Sequence, residues 1–251
     1  MQNPADIQPI TRPSQATCDA LARIGSATCS SELSFMGIRD PQIRGPVALK
    51  TGKALAGPAL TLQMMPQRED LFDADEYENP ELQLNRHVLY QTQRGDFIVV
   101  DARGDMASGV FGEMMLTFFE GRGGIGIVVD GCIRDSVTAK TLDVGIWVNG
   151  VTPNHPSQTT LMPFAVNVPI ACGDSLVMPG DIVVADDDGV VVVPAAKAEE
   201  LIEKAMAHAE WEEFSLFKLR QGADLNKYYP LNAGIEEEYR AWRAENPVKK
   251  A

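Results

Sequence analysis

The sequence predicts an α/β fold with a central sheet, a hairpin-rich second half and a C-terminal helical arm. In the middle third of the chain, short apolar runs alternate with helical patterns, which is typical of βα units and a largely parallel sheet. From Val166 onward, short apolar runs are separated by tight-turn sequences such as "MPGD" and "DDDG", which indicate hairpins. A long amphipathic pattern begins at Ala195 and predicts the arm.

The first 102 residues predict three helices and two strands. Ser14 precedes a helical pattern and suits the N-cap position, because its hydroxyl can accept from a free backbone N–H. Gly37 suits the end of the second helix. The helices are expected over Ser14–Arg23, Thr28–Met36 and Glu81–Thr92, and the strands over Leu55–Pro66 and Gly95–Ala102.

The next elements continue the alternation of helix and strand. A helical pattern ends at Gly121, and the apolar run that follows stops at Asp130-Gly131. Helices are expected over Val110–Glu120, Ser136–Leu142 and Ala195–Arg220, and strands over Ile125–Val129 and Gly145–Val148.

We expect two parts in the chain, residues 1–194 as the catalytic domain and residues 195–251 as a helix and tail. With 251 residues, 45% of them hydrophobic, the chain can bury one large core. The tail carries Tyr228, Tyr229, Tyr239 and Trp242, and such residues rarely stay in solvent. We therefore expect the tail to pack on a neighbouring subunit.

Composition argues against several classes of protein. The net charge of −13 repels phosphate backbones, and no basic stripe offsets it, so we expect no nucleic-acid partner. No run approaches the roughly 18–20 apolar residues of a membrane helix, and the N-terminus lacks a signal pattern, so we expect a cytoplasmic protein without a membrane partner. Cys18, Cys29, Cys132 and Cys172 lie far apart, which favours reduced thiols over a disulfide or zinc framework.

Common catalytic motifs do not occur. The sequence has no G-x-S-x-G and no P-loop, and its three histidines include no H-x-x-x-H pair. The glycines of "GRGGIG" stand before a strand, whereas a dinucleotide fingerprint follows one. Two loops at the ends of predicted strands remain as candidate sites.

The first candidate loop is "SGVFGEMM", Ser108 to Met115. It leads from a strand into a helix, where free backbone N–H groups can bind an anion and Gly109 and Gly112 allow close approach. The alternative is an ordinary glycine-containing turn. Sequence pattern alone leaves both interpretations open.

The second candidate loop contains the adjacent pair Arg134-Asp135. Arginine offers a planar fork for a carboxylate, and aspartate offers oxygen ligands suited to Mg²⁺ or Mn²⁺. The alternative is that Asp135 caps the following helix and Arg134 is a surface ion-pair partner. Ligands bind where parallel strands end, so this loop and the first could face one crevice.

Another carboxylate cluster, Asp186-Asp187-Asp188, superficially resembles a metal site. It stands before Gly189 between two apolar runs, where aspartate and glycine are favoured for backbone reasons. We therefore interpret it as a hairpin turn.

Five ordered motifs resemble one known family. They are "LAGPALTL", "GDFIVVDA", "FGEMM", "VVDGCIRD" and "PGDIVVADDDGVVVVP", and together they span roughly Leu21 to Pro194. In this respect the chain resembles the regulator of ribonuclease activity A-like proteins, which include the 4-hydroxy-4-methyl-2-oxoglutarate aldolases. The resemblance implies a swivelling β/β/α domain and a homotrimer, or a dimer of trimers, with active sites between subunits.

The resemblance also implies roles for individual residues. A divalent metal, Mg²⁺ or Mn²⁺, would be held by Asp135, and Arg134 would contact the keto-acid end of the substrate. Backbone amides of Gly112, Glu113, Met114 and Met115 would cradle the substrate carboxylate. The acid of that stretch, which would orient a metal-bound water, is often aspartate in the family, whereas this chain has the longer Glu113.

A third implied element is an acid from the neighbouring subunit's C-terminal region. Glu212 and Glu213 are the candidates, and the sequence does not select between them. The segment Thr152–Ala165 differs from the usual family loop, and its His155 is either a substrate contact or plain surface.

Residues and resemblance together predict a metal-dependent carbon–carbon lyase. Such an enzyme would cleave a 4-hydroxy-2-oxo acid to release pyruvate, with oxaloacetate decarboxylation as a side activity through the same enolate. No motif places a lysine for a Schiff base, which favours the metal-dependent route. The alternatives are a non-catalytic regulator that binds a ribonuclease, or a dehydratase or hydrolase that uses the same metal site.

Overall fold

The computed structural model of the chain describes residues 1–50, 52–71, 79–155, 160–230 and 233–246. It contains two compact units, Met1–Glu199 and Glu200–Ala251. The α-helices are α1 (Gln15–Ile24), α2 (Ser26–Phe35), α3 (Leu84–Tyr90), α4 (Glu113–Gly121), α5 (Ser136–Ala139), α6 (Ala198–Arg220), α7 (Leu225–Tyr228) and α8 (Glu236–Glu245). Among these described helices, none has the length and apolar character needed to cross a bilayer.

The strands form one large mixed sheet and a separate hairpin. They are β1 (Gln42–Ile43), β2 (Val47–Ala48), β3 (Leu55–Pro66), β4 (Phe97–Asp101), β5 (Gly126–Ile133), β6 (Gly145–Val151), β7 (Leu161–Val166), β8 (Ile170–Cys172), β9 (Ser175–Val177), β10 (Ile182–Ala185) and β11 (Val190–Val193). In the described part of the chain, the large sheet has the order β1-β11-β10-β3-β4-β5-β6-β2, with β7 also on β3, and β8 pairs with β9.

Strand β3 belongs to both parts of the sheet that the sequence predicts, the parallel centre and the hairpin-rich second half. Its first residues pair antiparallel with β10, and from Ala59 onward it pairs in parallel with β4. Parallel pairing continues from β4 to β5 and from β5 to β6. The predicted α/β fold, with its parallel centre and hairpin-rich second half, is confirmed.

Both faces of the parallel strands are buried, which explains their unbroken apolar runs. On β4, Ile98 and Val100 contribute to one hydrophobic cluster, whereas Phe97 and Val99 contribute to the other. The alternation follows from the period of two residues in a strand. Because both faces are covered, polar chemistry is restricted to the ends of these strands.

The predicted helices differ from the observed ones mainly at their ends. Helix α1 begins after Ser14, whose side chain accepts from the N–H of Thr17 as predicted. The helix predicted from Thr28 begins at Ser26, because the carboxylate of Asp186 accepts from the backbone N–H of Ser26 at 2.7 Å. The helix expected over Glu81–Thr92 is instead a 3-10 turn followed by α3, which ends at Tyr90.

Two predictions around the candidate loops were wrong in their bounds. The strand expected to stop at Asp130-Gly131 continues to Ile133. Its pairing with β6 changes register between Val129 and Cys132 of β5. The helix expected over Ser136–Leu142 ends at Ala139, because the N–H of Thr141 donates to the carbonyl of Thr138 in a tighter turn. The Arg-Asp pair therefore follows directly after a buried strand.

The segment Thr152–Ala165 is not a continuous loop. Its last residues, from Leu161, belong to β7, which pairs with the end of β3. Residues 156–159 lie outside the described part of the chain.

The aspartate cluster at residues 186–188 is a turn, as predicted. It connects β10 to β11, and the side chain of Asp186 accepts from the N–H of Asp188 at 3.0 Å. The Asp187 carboxylate accepts from the N–H of Gly52 at 2.9 Å. These carboxylates therefore stabilise backbone.

The C-terminal unit packs its aromatic side chains on one another. Phe214 is fully buried and contacts Tyr228, Tyr239 and Trp242, while Trp211 stacks on Tyr239 with 4.5 Å between ring centroids. The arm therefore has a small core of its own. Its packing on a neighbouring subunit stays a prediction.

Candidate functional site

The two candidate loops lie side by side. After β4, the chain runs along the end of β5, where Val110 N–H donates to the Cys132 carbonyl at 3.0 Å. The N–H of Arg134 donates to the Phe111 carbonyl at 2.9 Å. Because residues 110 and 111 are held in this extended pairing, the helix predicted from Val110 begins only at Glu113.

Asp135 connects the two loops through its side chain. Its Oδ2 accepts from the backbone N–H of Glu113, the first residue of α4, at 2.9 Å. Asp135 also precedes α5, but its side chain makes no capping bond there. The alternative that Asp135 caps its own following helix is therefore wrong, since the carboxylate caps the neighbouring helix.

The backbone of Asp135 is unusual as well. Its φ of 57° lies in the left-handed region, which few residues other than glycine, asparagine and aspartate adopt readily. This conformation turns the chain sharply between β5 and α5. It leaves the Asp135 side chain 41% exposed beside the start of α4.

Gly112 allows this close approach. A Cβ atom on Gly112 would lie 2.5 Å from Asp135 Oδ2 and 2.7 Å from Arg134 Nε. Both distances are too short for any side chain. Gly112 therefore admits the Arg-Asp pair, and the close approach of an anion to this loop stays a prediction.

The guanidinium of Arg134 is only partly engaged. Its Nε lies 3.6 Å from Asp135 Oδ2, and the side chain is 35% exposed. Arg134 also lines a cavity of about 360 Å³ together with Gly112 and the two methionines that follow Glu113. Arg134 therefore lies next to the Asp135 carboxylate and also lines this cavity.

The start of α4 offers backbone donors to the same cavity. The first N–H groups of a helix have no acceptor within the helix, and here Glu113 N–H is taken by Asp135. Within the described part of the chain, the N–H groups of Gly112, Met114 and Met115 have no acceptor. Three of the four amides that the resemblance assigns to a substrate carboxylate therefore lack an acceptor, and their role as a cradle stays a prediction.

Glu113 lies outside the cavity lining and is exposed. Thr138 Oγ1 lies 3.5 Å from Glu113 Oε2, at the long limit of a hydrogen bond. The carboxylate is therefore weakly held, on the same side as Asp135.

The cavity has a second wall that the sequence did not suggest. Helix α3 contributes Asn85, Arg86, Leu89 and Tyr90, and His155 also lines the space. No motif marks α3, since its polar residues are separated from Arg134 by some 50 positions and look like an ordinary amphipathic helix. His155, left open by the sequence, is therefore a cavity residue.

The donors at the loop suit a hard divalent cation. Asp135 Oδ1 has no partner among the described residues, while Oδ2 is engaged. Mg²⁺ commonly takes one or two protein carboxylates and keeps several waters, so one free carboxylate oxygen fits. The described residues contain no group of three or more His, Cys, Asp or Glu side chains arranged for a metal.

Asp130 and Cys132 lie on β5, shortly before the Arg-Asp pair. Asp130 Oδ2 accepts from Gly173 N–H at 3.2 Å, and its Oδ1 accepts from Ala102 N–H. Burial raises the pKa of Asp130 to about 6. Burial also raises the pKa of the Cys132 thiol, which makes it a poor nucleophile.

The predicted C-terminal acids have partners in their own unit. Glu213 Oε2 accepts from Arg243 Nη1 at 2.8 Å, and Glu212 lies 3.5 Å from His208 Nε2. Their reach to a neighbouring site stays a prediction.

Comparison with known proteins identifies relatives for most of the chain. The family model described as RraA-like, Aldolase/RraA, matches residues 16–192. A protein of Halalkalibacterium halodurans named "Putative 4-hydroxy-4-methyl-2-oxoglutarate aldolase" is 38% identical over 118 residues, which cover 47% of this chain and 55% of that protein. The chain thus matches only about half the length of this curated relative.

Solved structures show the same fold. Streptomyces coelicolor RraAS2, described as an unusual member of the RNase ES inhibitor RraA protein family, is 46% identical with a TM-score of 0.76, over 82% of this chain and 98% of that one. An uncharacterized protein from Pseudomonas syringae pv. tomato is 26% identical with a TM-score of 0.72, over 88% of this chain and 99% of that one. The resemblance found in the sequence motifs is confirmed.

Proposed function

Since the chain belongs to the RraA-like family, which includes aldolases and ribonuclease inhibitors, we propose that it is a divalent-metal-dependent carbon–carbon lyase. Its substrates would be 2-oxo acids, cleaved to release pyruvate. One observation carries the proposal: Arg134, a free carboxylate oxygen of Asp135 and three unoccupied helix amides converge beside one cavity. An anionic keto acid needs this combination of groups.

The amides of Gly112, Met114 and Met115 would bind the substrate carboxylate. They stand at the start of α4, where unpaired N–H groups and the helix dipole favour an anion. This contact fixes the C1 end of the substrate. The C2 keto oxygen then faces the guanidinium of Arg134.

Arg134 would stabilise the charge that develops during bond cleavage. When the C3–C4 bond breaks, its electron pair moves toward C3 and the keto oxygen, which gives the enolate of pyruvate. A planar guanidinium donor aimed at that oxygen binds the enolate more strongly than the neutral ketone. Asp135 would hold Mg²⁺ or Mn²⁺, which when bound supplies Lewis-acid stabilisation of the same oxygen.

Glu113 is the proposed proton carrier. In a 4-hydroxy-2-oxo acid, loss of the C4 hydroxyl proton lets the C4 carbonyl form as the C3–C4 bond breaks. The Glu113 carboxylate is exposed and weakly held beside Asp135, so it can take that proton through water. In oxaloacetate the C4 group leaves as carbon dioxide, and no hydroxyl proton must be removed. In both reactions the enolate then takes a proton at C3 from water to give pyruvate.

The proposed assembly is a homotrimer or a dimer of trimers in the cytoplasm, with Glu212 or Glu213 of a neighbouring subunit near the site. Light scattering of the purified chain measures the assembly. Glu212 and Glu213 are replaced one at a time, and pyruvate release is measured. The replacement that lowers pyruvate release identifies the glutamate that contributes to the neighbouring site.

The experiment that tests the function is a pyruvate assay coupled to lactate dehydrogenase. Oxaloacetate and 4-hydroxy-4-methyl-2-oxoglutarate are supplied with Mg²⁺ or Mn²⁺, and each reaction is repeated with EDTA. We expect pyruvate release that requires the metal and exceeds the enzyme-free blank. Full activity in EDTA, or none with either substrate, would contradict the proposal.

A regulatory function is the second candidate, because the relative RraAS2 is described as a member of an RNase inhibitor family. In that case the chain would bind a ribonuclease and release no pyruvate. A pull-down with purified ribonuclease, run beside the pyruvate assay, separates the two. Stoichiometric binding without lyase activity favours the regulator.

A further inference from the structure

Two neighbouring residues on α3 have polar atoms without partners at the cavity. Asn85 is 3% exposed, and its Oδ1 has no hydrogen-bond partner. The Nε of Arg86 is buried and likewise has no partner. Within the described residues, the Arg86 guanidinium makes no hydrogen bond or ion pair through any of its nitrogens. Both residues line the cavity that Arg134 also lines.

This arrangement is unfavourable unless something binds there. A buried polar atom without a partner loses its hydration without compensation, and an unpaired charge loses more. Native proteins therefore keep such groups mainly where a ligand, water or ion completes them. A guanidinium is completed best by a carboxylate, which it binds in a fork with two parallel hydrogen bonds.

Apolar side chains also line this cavity. Tyr90 and Phe118 meet edge to face, with 5.9 Å between ring centroids, and Met115 lies beside them. These apolar side chains line the same cavity as the charged side chains of Arg86 and Arg134. The cavity volume of about 360 Å³ is at the small end of the range for ligand pockets, roughly 300–1,000 Å³.

We infer that Arg86 determines specificity for the far end of the substrate by pairing with its second carboxylate. The inference rests on the proposed function, since it places the C1 carboxylate and the keto group at the α4 amides and Arg134. The Oδ1 of Asn85 only accepts, so it would take a hydroxyl of the substrate beside this carboxylate. The site therefore prefers dianionic 2-oxo acids over monoanionic ones of equal length.

The test compares two unreactive five-carbon acids. 2-Oxoglutarate and 2-oxopentanoate share the keto-acid end and differ at the far carbon, which is a carboxylate in one and a methyl group in the other. Their affinities are measured by titration calorimetry with Mg²⁺ present, for the wild type, Arg86→Met and Arg86→Gln. Arg23→Met serves as the matched control, because Arg23 is an exposed arginine outside the cavity.

We expect the wild type and Arg23→Met to bind 2-oxoglutarate at least about tenfold more tightly than 2-oxopentanoate. In Arg86→Met the two affinities should become nearly equal, through loss of 2-oxoglutarate binding alone. Circular dichroism checks folding, and Arg86→Gln gives the same readout if the methionine variant is unstable. Equal affinities in the wild type, or an unchanged preference in the folded variants, would overturn the inference.

The binding test and the pyruvate assay fail independently. A preference that depends on Arg86 in a protein that releases no pyruvate would refute the lyase and leave the subsite in place. Pyruvate release with an unchanged preference in Arg86→Met would support the lyase and refute the subsite. Failure of the wild type to bind either acid would refute the subsite, whereas the pyruvate assay alone decides the lyase.

Discussion

The carboxylate of Asp135 accepts a hydrogen bond from the backbone N–H of Glu113, 22 positions earlier in the chain. This bond fixes the start of α4 against the end of β5. It also makes Asp135 both a helix cap and the candidate metal ligand, one oxygen for each role. A substitution at this residue therefore has to be designed so that the two roles separate.

Asp135→Asn and Asp135→Ala separate the two roles. Asparagine keeps an oxygen that can accept from Glu113 N–H and tolerates the left-handed backbone, but it lacks the charge that binds Mg²⁺. We expect Asp135→Asn to unfold near the wild-type midpoint yet lose metal-dependent activity. Asp135→Ala should lose that activity and also about 1 kcal/mol of unfolding free energy, as capping residues do. Urea denaturation and the pyruvate assay measure both, and full activity in Asp135→Asn would exclude the metal role.

Gly112→Ala tests the close approach of the Arg-Asp pair. Its Cβ would lie 2.5 Å from Asp135 Oδ2, so the pair must move, and we expect kcat/KM to fall at least tenfold. The matched control is Gly121→Ala at the other end of α4, where a Cβ meets nothing within 4 Å. That variant should keep full activity and gain about 0.4–1 kcal/mol of unfolding free energy. Similar activities in the two variants would count against the proposed geometry.

Arg134→Lys and Arg134→Met test stabilisation of the enolate. Lysine keeps the charge but lacks the planar fork, and methionine keeps only the length. We expect kcat to fall by about 10²–10³ in Arg134→Met, comparable to the loss of one oxyanion donor. Since the side chain is 35% exposed, the unfolding free energy should change little. A change in KM alone would show that Arg134 only binds substrate.

Asp130 predicts a pH dependence of stability. Burial raises its pKa from 3.8 to about 6, so the folded state holds the proton more tightly than the unfolded state. This contribution to stability is fully present below pH 3.8 and is lost as the pH rises through about 6. Between pH 5 and pH 7.5, the wild type should lose about 1 kcal/mol of unfolding free energy relative to Asp130→Asn.

Urea titrations of both proteins across this pH range provide the measurement. Asp181, whose pKa burial also raises, is present in both proteins, so its contribution largely cancels in the difference. The charge of Asp101 helps to raise the pKa of Asp130, so the difference includes the interaction of these two carboxyl groups. Parallel stability curves for the two proteins would refute the assignment to Asp130.

The sequence by itself determined the elements whose signals are local. The apolar runs of β4 and β5 predict buried parallel strands because both faces of each strand are covered. Ser14 predicts the start of α1, since the cap bond spans only three residues. The order of five motifs identified the family, and the glycines at positions 109 and 112 marked the loop beside the site.

Only the tertiary structure decided how the candidate site is assembled. Helix α4 begins at Glu113 because β5 holds the two preceding backbone groups and Asp135 caps the helix. Arg86 faces the same cavity as Arg134 because of the way α3 packs. These contacts join residues that are 20 to 50 positions apart, and no local periodicity or propensity encodes such contacts. They arise when the strands pair and the helices cover the sheet, which brings distant loops together.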